Sequence, residues 1–122
     1  MKRDNDLIRD ILLFVEQHGD NNNVLTLSVR DFFKSSPNVT QNILDNHIEL
    51  LTERKFLKAE PHQLGWFVLG LTWDGHDFLS NAKDQTIWSK SKQLAGHLSF
   101  DIFATVIKDI ALNITRSVVD CG

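Results

Sequence analysis

Thr40-Gln41-Asn42-Ile43-Leu44-Asp45-Asn46-His47-Ile48-Glu49-Leu50-Leu51-Thr52-Glu53-Arg54 is followed almost at once by Phe56-Leu57-Lys58-Ala59-Glu60 and Gly65-Trp66-Phe67-Val68-Leu69-Gly70-Leu71. Across this stretch the period of hydrophobicity changes. In the first part Ile43, Leu44, Ile48, Leu50 and Leu51 gather on one side at ~100° per residue, which predicts a helix. Thr40 stands where an N-cap belongs. In the second part the apolar residues run together in two short β-prone segments separated by Pro61-His62-Gln63-Leu64, which predicts a hairpin.

Towards the N-terminus, Leu7, Ile8, Ile11, Leu12, Phe14 and Val15 predict a helix over residues 4–18, opened by Asp4 and Asp6 and stopped by Gly19. Asp20-Asn21-Asn22-Asn23 reads as a solvated turn and Val24-Leu25-Thr26-Leu27 as a strand or an extended lead-in. Ser28 caps a short helix carrying Val29, Phe32 and Phe33, which Ser35-Ser36-Pro37 ends. Towards the C-terminus, Thr72 caps a helix through Phe78, Leu79 and Ala82, with Asp74 in its first turn. Two further helices, over 84–95 and 99–118, are separated near Gly96. The class predicted is mostly α with a small β-hairpin. Helix, short helix, helix, hairpin is the order of a winged helix-turn-helix-like domain, here residues 1–83. Residues 84–122 form a C-terminal helical extension packed on it as one compact unit. Leu44, Ile48 and Leu51 are expected to pack against Leu7, Ile11 and Phe14.

Composition narrows the function. A chain of 122 residues suits one domain, and 42% hydrophobic with 24% charged residues is ordinary globular material. The net charge of −3 gives no overall attraction to nucleic acid or to an anionic membrane surface. The single cysteine, Cys121, permits no internal disulfide and no paired-cysteine metal knuckle. The apolar runs fall far short of the ~20 residues that span a bilayer. Met1-Lys2-Arg3-Asp4-Asn5-Asp6 leads into no apolar signal core, so a cytoplasmic location without membrane association is expected.

Met1-Lys2-Arg3-Asp4-Asn5-Asp6-Leu7-Ile8-Arg9-Asp10-Ile11-Leu12 resembles the opening of the domain of unknown function family numbered 2513. His47-Ile48-Glu49-Leu50-Leu51 leading to Phe56-Leu57 is similar to the same family. So is Leu71-Thr72-Trp73-Asp74-Gly75-His76-Asp77-Phe78-Leu79 followed by Ile87-Trp88, whose Thr-Trp-Asp-Gly-His-Asp-Phe-Leu run is the most distinctive part. The resemblance covers nearly the whole chain. It implies a small bacterial or prophage-associated cytoplasmic protein with a winged-helix-like fold, and it carries no catalytic residues to transfer.

In a helix-turn-helix the helix over 40–54 would lie in the major groove. Its outer arc holds Gln41, Asn42, Asp45, Asn46, Glu49 and Glu53. The amides suit adenine edges. The three carboxylates oppose duplex binding, whose affinity rests largely on cations that neutralise phosphates. Lys2, Arg3, Arg9, Arg30, Lys34, Arg54, Lys55 and Lys58 surround this helix, yet scattered cations read more simply as solvated surface. A DNA-binding regulator is therefore the alternative reading, with Gln41, Asn42 and Asn46 as readers and Lys34, Arg54 and Lys55 as phosphate anchors.

Other chemistry is sparse. His18, His47, His62, His76 and His97 lack the paired spacing of zinc sites, and no metal or cofactor is expected. His47 reads as a hydrogen-bonded core residue, and Cys121 lies in a terminal tail. His76 is flanked by Asp74 and Asp77, but neighbours in sequence point apart on a helix, and neither a nucleophile motif nor a phosphate-cradling loop accompanies them. The reading preferred is a structural knot: Thr72 caps, Trp73 and Phe78 pack on the hairpin, Gly75 allows close approach, and His76 bonds backbone. No catalytic residue is assigned and no enzymatic activity is expected.

Phe100, Phe103, Ile107, Ile110 and Ile114 follow the 3-4-3-4 spacing of a helical seam, which Ile102, Ala104, Val106, Ala111 and Val118 widen to an arc of about 200°. A helix docked on one surface needs only a ~100° stripe. The helix is therefore expected to pack on two surfaces, the body of its own chain and the same helix of a second copy, which makes the seam a homodimer interface; the alternative is that it threads between the first helix and the hairpin of its own chain and is simply buried. The chain is expected to act through a protein partner or through itself.

Overall fold

Asp4 opens the first helix: its carboxylate accepts the Leu7 amide at 3.1 Å, so one of the orphan donors of the first turn is satisfied. The computed structural model that contains this cap describes residues 2–19, 24–63 and 65–121, with 115–121 given by their backbone alone. The elements are α1 (Asn5–His18), a single 3-10 turn (Val29–Phe32), α2 (Gln41–Glu53), β1 (Leu57–His62), β2 (Gly65–Leu71), α3 (Trp73–Ala82), α4 (Gln85–Ala95) and α5 (Phe100–Cys121). The class is mostly α with one two-stranded antiparallel hairpin, as the change of period predicts. The turn over 20–23, the Leu64 position, the Val118 side chain and the Cys121 side chain lie outside the described residues. The chain divides into two compact units, Met1–His76 and Asp77–Gly122.

In the first unit Leu7, Ile8, Ile11, Leu12 and Val15 of α1 are buried, as are Leu44, Ile48 and Leu51 of α2, and the two helices pack on each other. Phe14 departs from expectation. It is half-buried and turns to the 3-10 segment, where its ring lies 5.4 Å from that of Phe32. Ser28 caps that segment in a reciprocal box with Asp31, and Thr40 caps α2 by accepting the Ile43 amide at 3.2 Å.

The end of α2 is a complete Schellman turn. The Phe56 amide donates to Leu51 O at 2.9 Å and the Lys55 amide to Thr52 O at 3.1 Å. Lys55 carries the left-handed φ of 64° that the turn demands. The chain then enters the hairpin, paired from Leu57↔Leu71 to His62↔Gly65. The register shifts between Lys58 and Ala59, which face Gly70 and Val68, so Leu69 bulges out unpaired. Leu25 forms an antiparallel bridge to Val68, with both backbone hydrogen bonds at 2.8 Å. The apolar segment 24–27 is thus a lead-in that touches the sheet at one residue.

The second unit holds the later part of α3 with α4 and α5. Asp84 caps α4 through the Ile87 amide, and a four-residue link, Gly96–Ser99, returns the chain as α5. Trp88 stands edge-on to Phe103 at 5.5 Å and Phe78 lies 5.7 Å from Phe100, all four rings buried.

Candidate functional site

The outward side of α2 carries the residues that sequence reading singles out. Gln41, Asn42, Asn46, Glu49 and Glu53 are exposed and Asp45 is half-buried. The side-chain N–H₂ of Gln41 is engaged, donating to Leu27 O at 3.2 Å and to Asp45 Oδ1 at 2.9 Å. Asn42 and Asn46 point to solvent, and between them stands the Asp45 carboxylate, close to the hairpin end at Gly65. Glu49 and Glu53 continue the acidic side. Lys34, ahead of α2 in the chain, and Lys55, just after it, are exposed, and Arg54 already has an interaction within the chain. The outward side of α2 therefore presents two free amides among three carboxylates.

His47 belongs to the opposite side of α2. It is fully buried, its Nδ1 lies 2.7 Å from Ile43 O, and its Nε2 accepts the Asp4 amide at 2.9 Å. Both ring nitrogens are used in holding α2 to the start of α1, which leaves no lone pair for a ligand.

The Thr72–His76 run is tied to the helix–hairpin junction by backbone. Thr72 donates its hydroxyl to Lys55 O, gives its amide to Phe56 O at 3.1 Å, and accepts the Gly75 amide at 2.9 Å. Gly75 is required here: a Cβ on it would lie 2.1 Å from Phe56 O. Two details of the expected knot are corrected. Trp73, on the first turn of α3, is 85% exposed. His76 is also exposed, and its ring meets that of Trp73 at 6.2 Å instead of bonding backbone. Beside this pair lies a cleft of about 230 Å³, lined by Val15, Glu16 and Gly19 at the end of α1, by Lys58, by Leu69, Gly70 and Leu71, and by His76. Sequence reading missed it because its lining comes from four separate segments. The one local signal was Gly70 facing Lys58, a strand position with no side chain to fill the space.

On α5 the expected seam divides. Phe100, Phe103 and Ile107 are buried within the chain itself, so these three side chains are already taken up by its core. Ile110 and Ile114 are half-buried. Next to the buried row runs a second one at i, i+4 spacing, Ile102, Val106, Ile110 and Ile114, every member of it partly open, with Ile102 49% exposed. The division is one of faces: Ile102 and Val106 share turns with the buried Phe103 and Ile107 yet stay more open.

Among the described residues there is no group of three His, Cys, Asp or Glu side chains that could hold a metal ion. No helix among them is long and apolar enough to cross a membrane.

The family model described as "Hypothetical protein (DUF2513)" matches residues 2–100, a span that ends where α5 begins. A protein of Haemophilus influenzae, described as an uncharacterized protein, is 29% identical over 118 residues, 93% of this chain and 95% of that one. No solved structure matches the chain.

Proposed function

This chain belongs to the DUF2513 family, and we propose that it is a non-enzymatic interaction module of a bacterial or prophage system that self-associates through α5. The observation that carries this reading is the open row Ile102, Val106, Ile110 and Ile114 beside a face already closed by Phe100, Phe103 and Ile107. Apolar side chains set in a continuous row on one helix favour burial against a second helix at roughly 25 cal/mol per Å² of apolar surface removed from water. A second copy is the occupant that fits. The row is uncharged, Asp101, Lys108 and Asp109 beside it are of mixed sign, and a twofold axis would lay the row on itself in antiparallel register. The small net charge adds little repulsion between copies.

Light scattering of the full chain at tens of micromolar, in the usual affinity range of such contacts, tests it. A dimer is expected, and Ile102→Asp with Val106→Asp should give a monomer that keeps its helical circular dichroism. A monomeric mass for the unaltered chain overturns the reading.

Two observations favour a second reading. The bridge from Leu25 to Val68 and the helix–hairpin order support a winged helix-turn-helix-like first unit, in which α2 would be the reading helix. Asn42 and Asn46 would read bases and Lys34 and Lys55 would contact phosphates. Against it stand Asp45, Glu49 and Glu53 on the same face. Sequence-selective duplex binding that persists at ~150 mM salt and is lost with Asn46→Ala would place this reading first.

A further inference from the structure

We propose that the cleft at the end of α1 binds a small carboxylate with an apolar body. The cleft holds about 230 Å³, below the ~300–1,000 Å³ of sites for drug-sized molecules, so its ligand is of amino-acid or fragment size. Val15, Leu69 and Leu71 give it apolar walls, and Gly70 leaves space where a side chain would otherwise stand. Lys58 and His76 line the same space from β1 and from α3, and both are exposed to incoming ligand. Among the described residues neither side chain has a hydrogen-bond or ion-pair partner, whereas Glu16, which also lines the cleft, is engaged within the chain. A free ammonium beside an imidazole offers N–H donors to an anion.

The charge of the ligand follows from the same wall. A phosphate dianion would set two charges against the single ammonium of Lys58, and Glu16, which repels any anion but is engaged within the chain, would repel a dianion twice as strongly as a monoanion. A monoanionic carboxylate is matched by Lys58 alone. Trp73, 85% exposed and with its ring 6.2 Å from that of His76, gives an apolar surface next to His76 on which a ligand's aromatic body can rest. Such a ligand is either a free small acid or the terminal residue of a peptide, and the chemistry that recognises the two is the same.

The test is a titration of the isotope-labelled full chain, followed in amide ¹H–¹⁵N spectra, with phenylacetate to about 10 mM, a range that reaches fragment-grade affinities. Phenylacetate is expected to shift the amides of Gly70, Leu71 and His76, while phenethylamine, with the same ring on a cation, leaves them in place. Lys58→Met, at an exposed position, should keep the melting temperature and weaken phenylacetate about tenfold or more, the worth of one charge-assisted hydrogen bond. A short peptide ending in a free phenylalanine carboxylate, compared with its amidated form, separates the sources. Tighter binding of the peptide acid than of phenylacetate assigns the site to chain termini, the reverse assigns it to free acids, and either result supports the site. Equal shifts from phenethylamine, binding undiminished by Lys58→Met, or no shift from either acid overturns the proposal.

Discussion

His47 accepts the backbone N–H of Asp4, a residue 43 positions away, and so joins the middle of α2 to the cap of α1. An amide can only donate, which makes Nε2 the acceptor and leaves Nδ1 as the nitrogen that carries the proton given to Ile43 O. We expect long-range ¹⁵N–¹H spectra to find His47 in the Nδ1–H form. Replacing it with leucine roughly keeps the volume but strands the Asp4 amide, at a cost of about 1–3 kcal/mol in chemical denaturation. An unchanged midpoint would mean that water serves the amide equally well.

The junction of α2, the hairpin and α3 makes a sharper prediction at Gly75. Alanine there would set its Cβ 2.1 Å from Phe56 O, and that oxygen also accepts from Thr72, so it has little freedom to retreat. Gly75→Ala should destabilise by about 1–3 kcal/mol or more through overpacking. Thr72→Val, which removes the cap on the Gly75 amide and the bond to Lys55 O, should cost about 1–2 kcal/mol. Because the two changes disturb one backbone contact, the double variant should lose less than their sum. Strict additivity would contradict a shared junction.

The helices and the hairpin were legible because each rests on local order: apolar period, a capping residue such as Thr40 or Asp84, and the β-prone runs on either side of residues 61–64. His47 was legible for the same reason, standing within an apolar row. What escaped depends on which neighbour covers which face. A projection of α3 or α5 tells which side is apolar, not whether another element reaches it: Trp73, expected on the hairpin, is exposed, and Phe103, expected in the seam, is buried within the chain. The cleft beside His76 was invisible for a related reason. Lys58 and Val15 have no relation in sequence, and only the bulged register of β2 brings Leu69 and Gly70 into place between them.

Lys55 holds a left-handed backbone, φ 64°, that glycine adopts without a Cβ penalty. Its side chain is exposed, so little packing is lost on removing it. Lys55→Gly should therefore stabilise the chain by up to about 1 kcal/mol, offset in part by the greater freedom of glycine in the unfolded state. Thermal unfolding decides the sign. A lower melting temperature would show that the lysine side chain contributes more than its backbone strain costs.

Ser91 offers the opposite kind of test, in the second unit. It is fully buried on α4, and among the described residues its hydroxyl has no hydrogen-bond partner, not even the carbonyl one turn back that a helical serine often uses. Trp88, one turn earlier, and Ala95, one turn later, are buried with it, so the position faces the core. A small residue is needed there, and the oxygen is not. Removing an unpartnered buried hydroxyl recovers part of a desolvation cost of about 1–3 kcal/mol. Alanine also gains about 0.5 kcal/mol in helix propensity over serine. The oxygen leaves only a small void, whose cost is below that of a lost methylene. Ser91→Ala should thus raise stability by about 0.5–2 kcal/mol. Ser91→Val, which adds volume at this buried position, should lower it by overpacking. If Ser91→Ala instead lowers the melting temperature, the hydroxyl has a partner in solution, and Ser91 joins α4 to it rather than serving by its size alone.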